Sequence, residues 1–206
     1  APGIAGTTVQ TLEYDGLSRS TRSTDNNDPL VSEDDSTVER KYDSLNRLLE
    51  ETQNGKLVSY NWKAASDPVD LTYPNDRKIA FTLDQLDRIT AITNGAGSPI
   101  ASYDYLGSRV KQRTYGNGVR LTMLNDAGNA TEGYDNLGRL TKMRHVSGPT
   151  LLAGFTYGYN RENMKTYAEN LSHANLSELY QYDSTYRLAD FKRGQLNANK
   201  DGLAGT

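Results

Sequence analysis

The chain has 206 residues, a net charge of -3, 35% hydrophobic residues and a mean hydropathy of -0.74. These values exclude a global attraction to nucleic acid or anionic lipid, and no run approaches the roughly 18 apolar residues that span a bilayer. The absence of cysteine removes disulfides, thiolate metal sites and cysteine nucleophiles, while 14 Tyr against 3 Phe and 1 Trp suits a thin, half-wet sheet.

In chain order, one seven-residue phrase keeps returning. Tyr14-Asp15-Gly16-Leu17-Ser18-Arg19-Ser20 opens the series, and Tyr42-Asp43-Ser44-Leu45-Asn46-Arg47-Leu48 repeats it. Tyr60-Asn61-Trp62 reads as a decayed start. Leu83-Asp84-Gln85-Leu86-Asp87-Arg88-Ile89 puts Leu in the Tyr position, and Tyr103-Asp104 carries one extra residue before Arg109. Tyr134-Asp135-Asn136-Leu137-Gly138-Arg139-Leu140 is the fullest copy. Tyr159-Asn160-Arg161-Glu162-Asn163-Met164 keeps the Tyr and an amide but loses the Arg, and Tyr182-Asp183-Ser184-Thr185-Tyr186-Arg187-Leu188 ends the series. Between successive copies the chain has room for two short strands and their turns, so each unit reads as a hairpin.

Local chemistry supports that reading. Residues before the Asp alternate with the strand period of two, as in Ile79, Phe81, Leu83 and in Phe155, Tyr157, Tyr159. The Asp opens a turn in which its carboxylate accepts backbone N–H groups. Four residues after the Tyr stand Ser18, Asn46, Asp87, Gly138 and Tyr186; Asn, Asp and Gly suit a left-handed turn residue. Beyond the Arg, apolar residues fall three apart (Ile89 and Ile92, Leu140 and Met143, Leu188 and Phe191), which predicts a β-bulge after the first of them. Asn54-Gly55, Asn94-Gly95, Asn117-Gly118, Ser147-Gly148-Pro149 and Arg193-Gly194 are expected to close the units.

Residues 161–179 hold the best helical pattern, but their Asn content and the strand after them favour a long hairpin. The stretches 25–29 and 32–36 read as exposed loops. Asn197-x-Asn199-x-Asp201-Gly202 is similar to half of a calcium loop but begins with Asn, and is read as an exposed turn. His145 and His173 stand in no recognisable catalytic motif.

The phrase Tyr-Asp-x-x-Gly-Arg-Leu, with Thr72-Tyr73-Pro74-Asn75-Asp76 and Thr114-Tyr115-Gly116-Asn117-Gly118 between copies, resembles the YD repeat of bacterial Rhs proteins, related to the shells of Tc toxins and teneurins. The resemblance runs from about Val9 to Gly194. It implies an all-β fold of tandem antiparallel β-hairpins, forming a coiling ribbon or part of a hollow shell of the YD-repeat β-cocoon type. It also implies a secreted or cell-surface location and, in relatives, an enclosed C-terminal toxin. Their releasing protease is marked by Asp-Pro-x-Gly; here Asp28-Pro29 and Asp67-Pro68 lack the Gly, so self-cleavage is not carried over.

The expectation is therefore a single YD-repeat array over 1–206, about seven or eight units and a fragment of a longer chain, with a structural, non-enzymatic role. Its fold-carrying residues are Tyr14, Asp15, Arg19, Tyr42, Asp43, Arg47, Asp84, Arg88, Tyr103, Asp104, Arg109, Tyr134, Asp135, Gly138, Arg139, Tyr159, Tyr182, Asp183 and Arg187. Catalytic residues, metals and cofactors are expected to be none, because repeated equivalent Asp–Arg pairs lack the one special environment an acid/base pair needs. Neighbouring repeats are the first partners, with an enclosed toxin or a surface glycan beyond them. Alternatives are a carbohydrate-binding or adhesive surface module and a self-associating extracellular filament.

Overall fold

The computed structural model describes residues 9–26, 35–63 and 68–205. Asp28-Pro29, Asp67 and the parts of the expected loops falling on 27–34 lie outside these residues. The chain forms two compact units, Ala1–Ser98 and Pro99–Thr206. Apart from one short 3-10 turn, the regular structure of the described residues is antiparallel strand.

The first unit holds β1 (Val9–Tyr14), β2 (Ser20–Asn26), β3 (Ser36–Tyr42), β4 (Leu48–Gln53), β5 (Lys56–Trp62), β6 (Pro68–Thr72), β7 (Lys78–Leu83) and β8 (Ile89–Asn94). Each pairs antiparallel with its chain neighbours, from Arg22 opposite Glu39 to Ile79 opposite Asn94. Asp25, Asn26 and Ser36, expected in loops, extend β2 and β3: Asp25 faces Ser36 across that pair, and Asn26 faces Val9 on β1.

The second unit holds β9 (Pro99–Leu106), β10 (Arg109–Tyr115), β11 (Val119–Thr122), β12 (Lys142–Ser147), β13 (Thr150–Tyr159), β14 (Lys165–Asn170), β15 (Glu178–Tyr182) and β16 (Leu188–Arg193). It is the same meander. Residues 161–179 form the expected hairpin: β14 leads through a 3-10 turn, Ala174–Leu176, into β15. Residues 123–141 leave the sheet as two stacked turns pinned by the Leu124–Thr131 and Tyr134–Leu140 bridges. Met123 and Leu124 are buried there.

The expected bulge is present. In β4 the register passes from Tyr42–Leu48 to Lys41–Glu50, leaving Leu49 as the extra residue. The same slip follows Leu83–Ile89 and Tyr182–Leu188. The extra residue turns a three-residue apolar spacing back into one face.

Candidate functional site

Because each unit is a meander, the connections from odd to even strands all lie along one edge of its sheet. The Tyr-Asp-Arg copies occupy that edge. In the first, Asp15 Oδ1 accepts the N–H groups of Leu17 at 2.9 Å and Arg19 at 3.0 Å, and Oδ2 accepts Arg19 Nε at 2.6 Å. Asp43, Asp84, Asp135 and Asp183 repeat the arrangement, with Nε–Oδ2 distances of 2.7, 2.7, 2.7 and 2.9 Å to Arg47, Arg88, Arg139 and Arg187. One carboxylate thus closes the turn and orients the guanidinium.

The turn is a three-residue hairpin loop ending in a left-handed residue. Ser18, Asn46, Asp87, Gly138 and Tyr186 all have φ between 58 and 74 degrees, and each N–H donates to the carbonyl of its Asp. Even the bulky Tyr186 takes this conformation, since the carboxylate bonds on either side leave the backbone little choice. A Cβ on Gly138 would also sit 2.2 Å from Arg109 Nη2, so the Arg109 guanidinium would have to move aside.

The same loop recurs outside the YD copies at Tyr73, Asn94 and Tyr115, which take the Asp position with Asp76, Gly97 and Gly118 three residues later at positive φ. The expected tight turns at Asn94-Gly95 and Asn117-Gly118 are therefore corrected to these longer loops. Asn125 and Asn197 begin loops one residue longer, closing on the Ala130 and Gly202 carbonyls, with Gly128 and Lys200 at positive φ. Asn54-Gly55 is the compact two-residue turn expected, with Gln53 opposite Lys56. In the Asn197 loop, Asn197 Nδ2 donates to Asp201 Oδ1 at 2.8 Å, and Lys200 reaches Glu169 Oε2 at 2.6 Å. This is an Asx-type turn clasped by a lysine. Among the described residues no cluster of His, Asp and Glu is placed to hold a metal ion.

Neighbouring copies are joined by the same three groups. The Arg19 guanidinium lies 4.8 Å from the Tyr42 ring centre and donates from Nη1 to the Asp43 carbonyl at 2.9 Å; the Tyr42 hydroxyl donates back to the Ser20 carbonyl at 3.1 Å. Arg47 does the same with Trp62 and the Lys63 carbonyl, and the Trp62 indole N–H donates to the Leu48 carbonyl at 2.7 Å. In the second unit Arg139 lies 4.7 Å from the Tyr159 ring centre, with Tyr159 Oη donating to Leu140 at 2.8 Å. Tyr182 Oη donates to Lys165 at 2.9 Å even though Met164 has replaced the Arg. The Arg19–Tyr42, Arg47–Trp62 and Arg139–Tyr159 joints each couple a cation–π contact to two carbonyl hydrogen bonds.

Two expected positions shift. The aromatic of the decayed copy is Trp62, at the end of β5, rather than Tyr60. Tyr103 and Asp104 lie within β9, opposite Arg113 and Gln112, whereas Tyr105 faces Val110 beside a two-residue turn. Arg109 keeps its place, 5.6 Å from the Tyr134 ring centre, and Tyr134 Oη donates to Val110 at 2.9 Å. The copy is one residue short in its turn, so counting from Arg109 rather than from Tyr103 would have found the register.

The electrostatics follow from the turn. Hydrogen bonds from the Arg47 backbone hold the Asp43 carboxyl below the usual range, and Asp135 is lowered in the same way by Arg139. Asp84 is lowered chiefly by the Arg88 side chain. At Asp15 partial burial pushes the carboxyl up, but the main-chain and side-chain bonds from Arg19 outweigh it. Asp183, bonded by the Arg187 backbone and by Thr185, falls to about 2. All five are held as carboxylates at neutral pH.

His145 lies on β12 between Leu121 and Ala153, and His173 precedes the 3-10 turn. A cleft of about 510 Å³ in the second unit is lined in part by Lys111, Arg120, Asp126 and Arg144. There Arg144 pairs with Asp126 and donates to the Leu124 carbonyl. No helix among the described residues is long and apolar enough to cross a membrane.

The chain belongs to the teneurin YD-shell family, whose model matches residues 5–115, more than half of the sequence. No curated protein matches it. Among solved structures it is similar to the Photorhabdus luminescens Tc holotoxin pore, at 12% identity with a TM-score of 0.62 over 88% of this chain and 11% of that one. It is also similar to TcdB2-TccC3-Cdc42 and TcdB2-TccC3-TEV, each at 12% identity with a TM-score of 0.60 over 87% of this chain and 12% of the other. The chain thus spans about one-ninth of the structures it matches, and the likeness concerns the fold.

Proposed function

We propose that the chain is a wall segment of a hollow shell or scaffold on a secreted or surface-displayed bacterial protein, with a mechanical rather than catalytic role. The observation that carries this reading is the repeated joint: Arg, aromatic ring and turn carbonyl lock one hairpin to the next in both units. A repeat stabilised by its nearest neighbours extends by addition and presents a continuous surface. On this reading residues 1–206 are one array of about seven or eight repeats, whose first partners are neighbouring repeats. The Asp, Arg and aromatic positions carry the fold, with Tyr105 replacing Tyr103 and Asp104. Five Asp–Arg pairs in near-identical surroundings divide no acid from base, which supports a non-enzymatic role.

The finer reading is that the shell encloses a toxin cargo. Limited proteolysis of the full-length gene product tests it. A cargo region cut far more slowly in the intact protein than when expressed alone is expected; equal rates would overturn enclosure while leaving the wall role standing. A carbohydrate-binding role is favoured by one feature, a shallow cleft lined by Tyr180, Tyr182, Asp183 and Tyr186. Rings beside a carboxylate suit a sugar, and a blank glycan array would remove this reading.

A further inference from the structure

The cleft of about 510 Å³ in the second unit lies where residues 123–141 leave the repeat. Its floor is one face of the sheet. Asp104, Gln112, Thr122 and Arg144 stand opposite one another in turn across β9 to β12, and Arg120 faces Val146 in the next row. Lys111, the bulge residue skipped by the register between Val110 and Gln112, joins them. The wall is the start of the excursion, where Asn125 Oδ1 accepts the Asn129 N–H at 3.0 Å and fixes the loop. Arg144 ties wall to floor, donating from Nη2 to the Leu124 carbonyl at 2.6 Å and pairing through Nη1 with Asp126. The cleft is built from internal strands and owes nothing to either end of the chain.

Charge in the cleft is unbalanced. Three cations line it, and Arg144 alone has an ion-pair partner there. Lys111 and Arg120 are half-buried and enter no ion pair among the described residues. Asp104 is exposed and pairs with neither. Cations elsewhere on the sheets are matched by carboxylates, as Arg40 is by Glu51 at 2.8 Å and Lys142 by Glu132 at 2.9 Å. Withdrawing charge from water without a counter-charge costs free energy, so this arrangement favours an anion that supplies one.

The single ion pair is itself lopsided. The Arg144 side chain is 13% exposed, whereas Asp126, on the excursion, is 84% exposed. Arg144 Nε is buried and has no acceptor. Asp126 is therefore a loosely held counter-ion to a guanidinium with a donor to spare. An exposed carboxylate of this kind yields to a better oxyanion at little cost. Guanidinium and ammonium groups gathered in one cleft are the recognition elements of tetrahedral oxyanions.

We propose that this cleft binds an oxyanion, a phosphate or sulfate group, held by Lys111, Arg120 and Arg144 with Asp126 displaced toward solvent. The space has the size of a small-molecule site, so a free anion and a sugar-borne one both fit. The net charge of -3 gives no general attraction for anions, which confines binding to this local cluster. The site is independent of the wall role and of the tyrosine-lined cleft, so its failure leaves both of those readings standing.

Calorimetric titration of the intact protein tests it with inorganic phosphate, sulfate, glucose 6-phosphate and glucose 6-sulfate, chloride keeping the ionic strength constant. Saturable one-site binding is expected. Arg120→Gln and Lys111→Gln should each weaken it about tenfold or more, the scale of one lost charge-assisted hydrogen bond. Asp126→Asn should tighten it several-fold, because the competing carboxylate is gone, and a damaged fold cannot produce that gain. Lys41→Gln, exposed in the first unit, should leave it unchanged. Tighter binding of the glucose esters would assign the oxyanion to a sugar, and equal binding would assign it to a free anion. No saturable binding above chloride, binding of uncharged glucose as tight as its esters, or equal losses in Arg120→Gln and Lys41→Gln would each overturn the proposal. So would an unchanged Arg120→Gln or a weakened Asp126→Asn. Circular dichroism verifies that the variants keep their sheet.

Discussion

The two units share strand count, meander order and turn chemistry, yet they bury different things. Among the described residues Ala101, Met123, Leu124, Ala168, Leu179 and Leu196 are the buried apolar side chains, and all lie in the second unit. Among the described residues of the first unit no side chain is buried to that degree. The difference tracks the interruptions. In the second unit 123–141 and 194–205 fold over the sheet, carrying Met123, Leu124 and Leu196, and Leu203 packs against Gly194. A bare YD array makes a half-wet sheet held by edge joints and cross-strand pairs; a core appears where the repeat is broken.

Breaking that contrast begins with the core. Leu179→Ala should cost about 2–5 kcal/mol in urea titration, because Leu179 is only 4% exposed. Leu12→Ala, on exposed β1, should cost less than about 0.5 kcal/mol. Equal losses would mean that the units do not differ as their burial indicates.

Gly138→Ala comes next. It places a Cβ at positive φ and against Arg109, and should cost about 1–3 kcal/mol in the same titration. Gly55→Ala meets no neighbour and should cost only about 1 kcal/mol, from its positive φ alone.

The joints sharpen the comparison from the other side. Tyr42→Phe in the first unit and Tyr159→Phe in the second each delete a donor to a carbonyl while keeping the ring. Each should cost about 0.5–1.5 kcal/mol by thermal unfolding. Similar values would show that the joint works alike with or without a core beside it.

Lys200→Ala should cost about 0.5 kcal/mol, since its pair with Glu169 is partly exposed. Its clearer readout is faster amide exchange and proteolysis across 195–205, with the first unit unchanged.

The smallest effect at neutral pH is electrostatic and should be common to both units. Asp43, Asp84, Asp135 and Asp183 have carboxyls lowered in the folded state. Their contribution is full above the unfolded carboxyl value near 3.8 and is lost as pH falls through the folded values, down to about 2 for Asp183. Asp183→Asn should flatten the acid limb of a stability-against-pH curve between those limits. An unaltered limb would show that Asp183 is not held low.

Much of this molecule was legible because its structure is local. A carboxylate accepting N–H groups two and four residues ahead, a left-handed residue at a fixed place and a bulge one residue after the return all act within a single hairpin. Asp135 and Gly138 could therefore be placed from their own neighbours. The copy at 103–109 misled because Tyr103 and Asp104 match the phrase by letter, while pairing across β9 and β10 selected Tyr105.

What only the tertiary structure decided lies between hairpins. That the Tyr42 hydroxyl bonds Ser20, that Trp62 stands in for a Tyr, and that Arg109 rests on Gly138 each depend on strands about 15 to 30 residues apart in the chain. Nor does spacing say which face Lys200 reaches, or that Met123 and Leu196 would be covered. The sequence by itself determined the turns, the strand period and the family, because short-range hydrogen bonding dictates them. Packing of one strand on the next decided the register, the joints and the core, because those contacts exist only once the ribbon has formed.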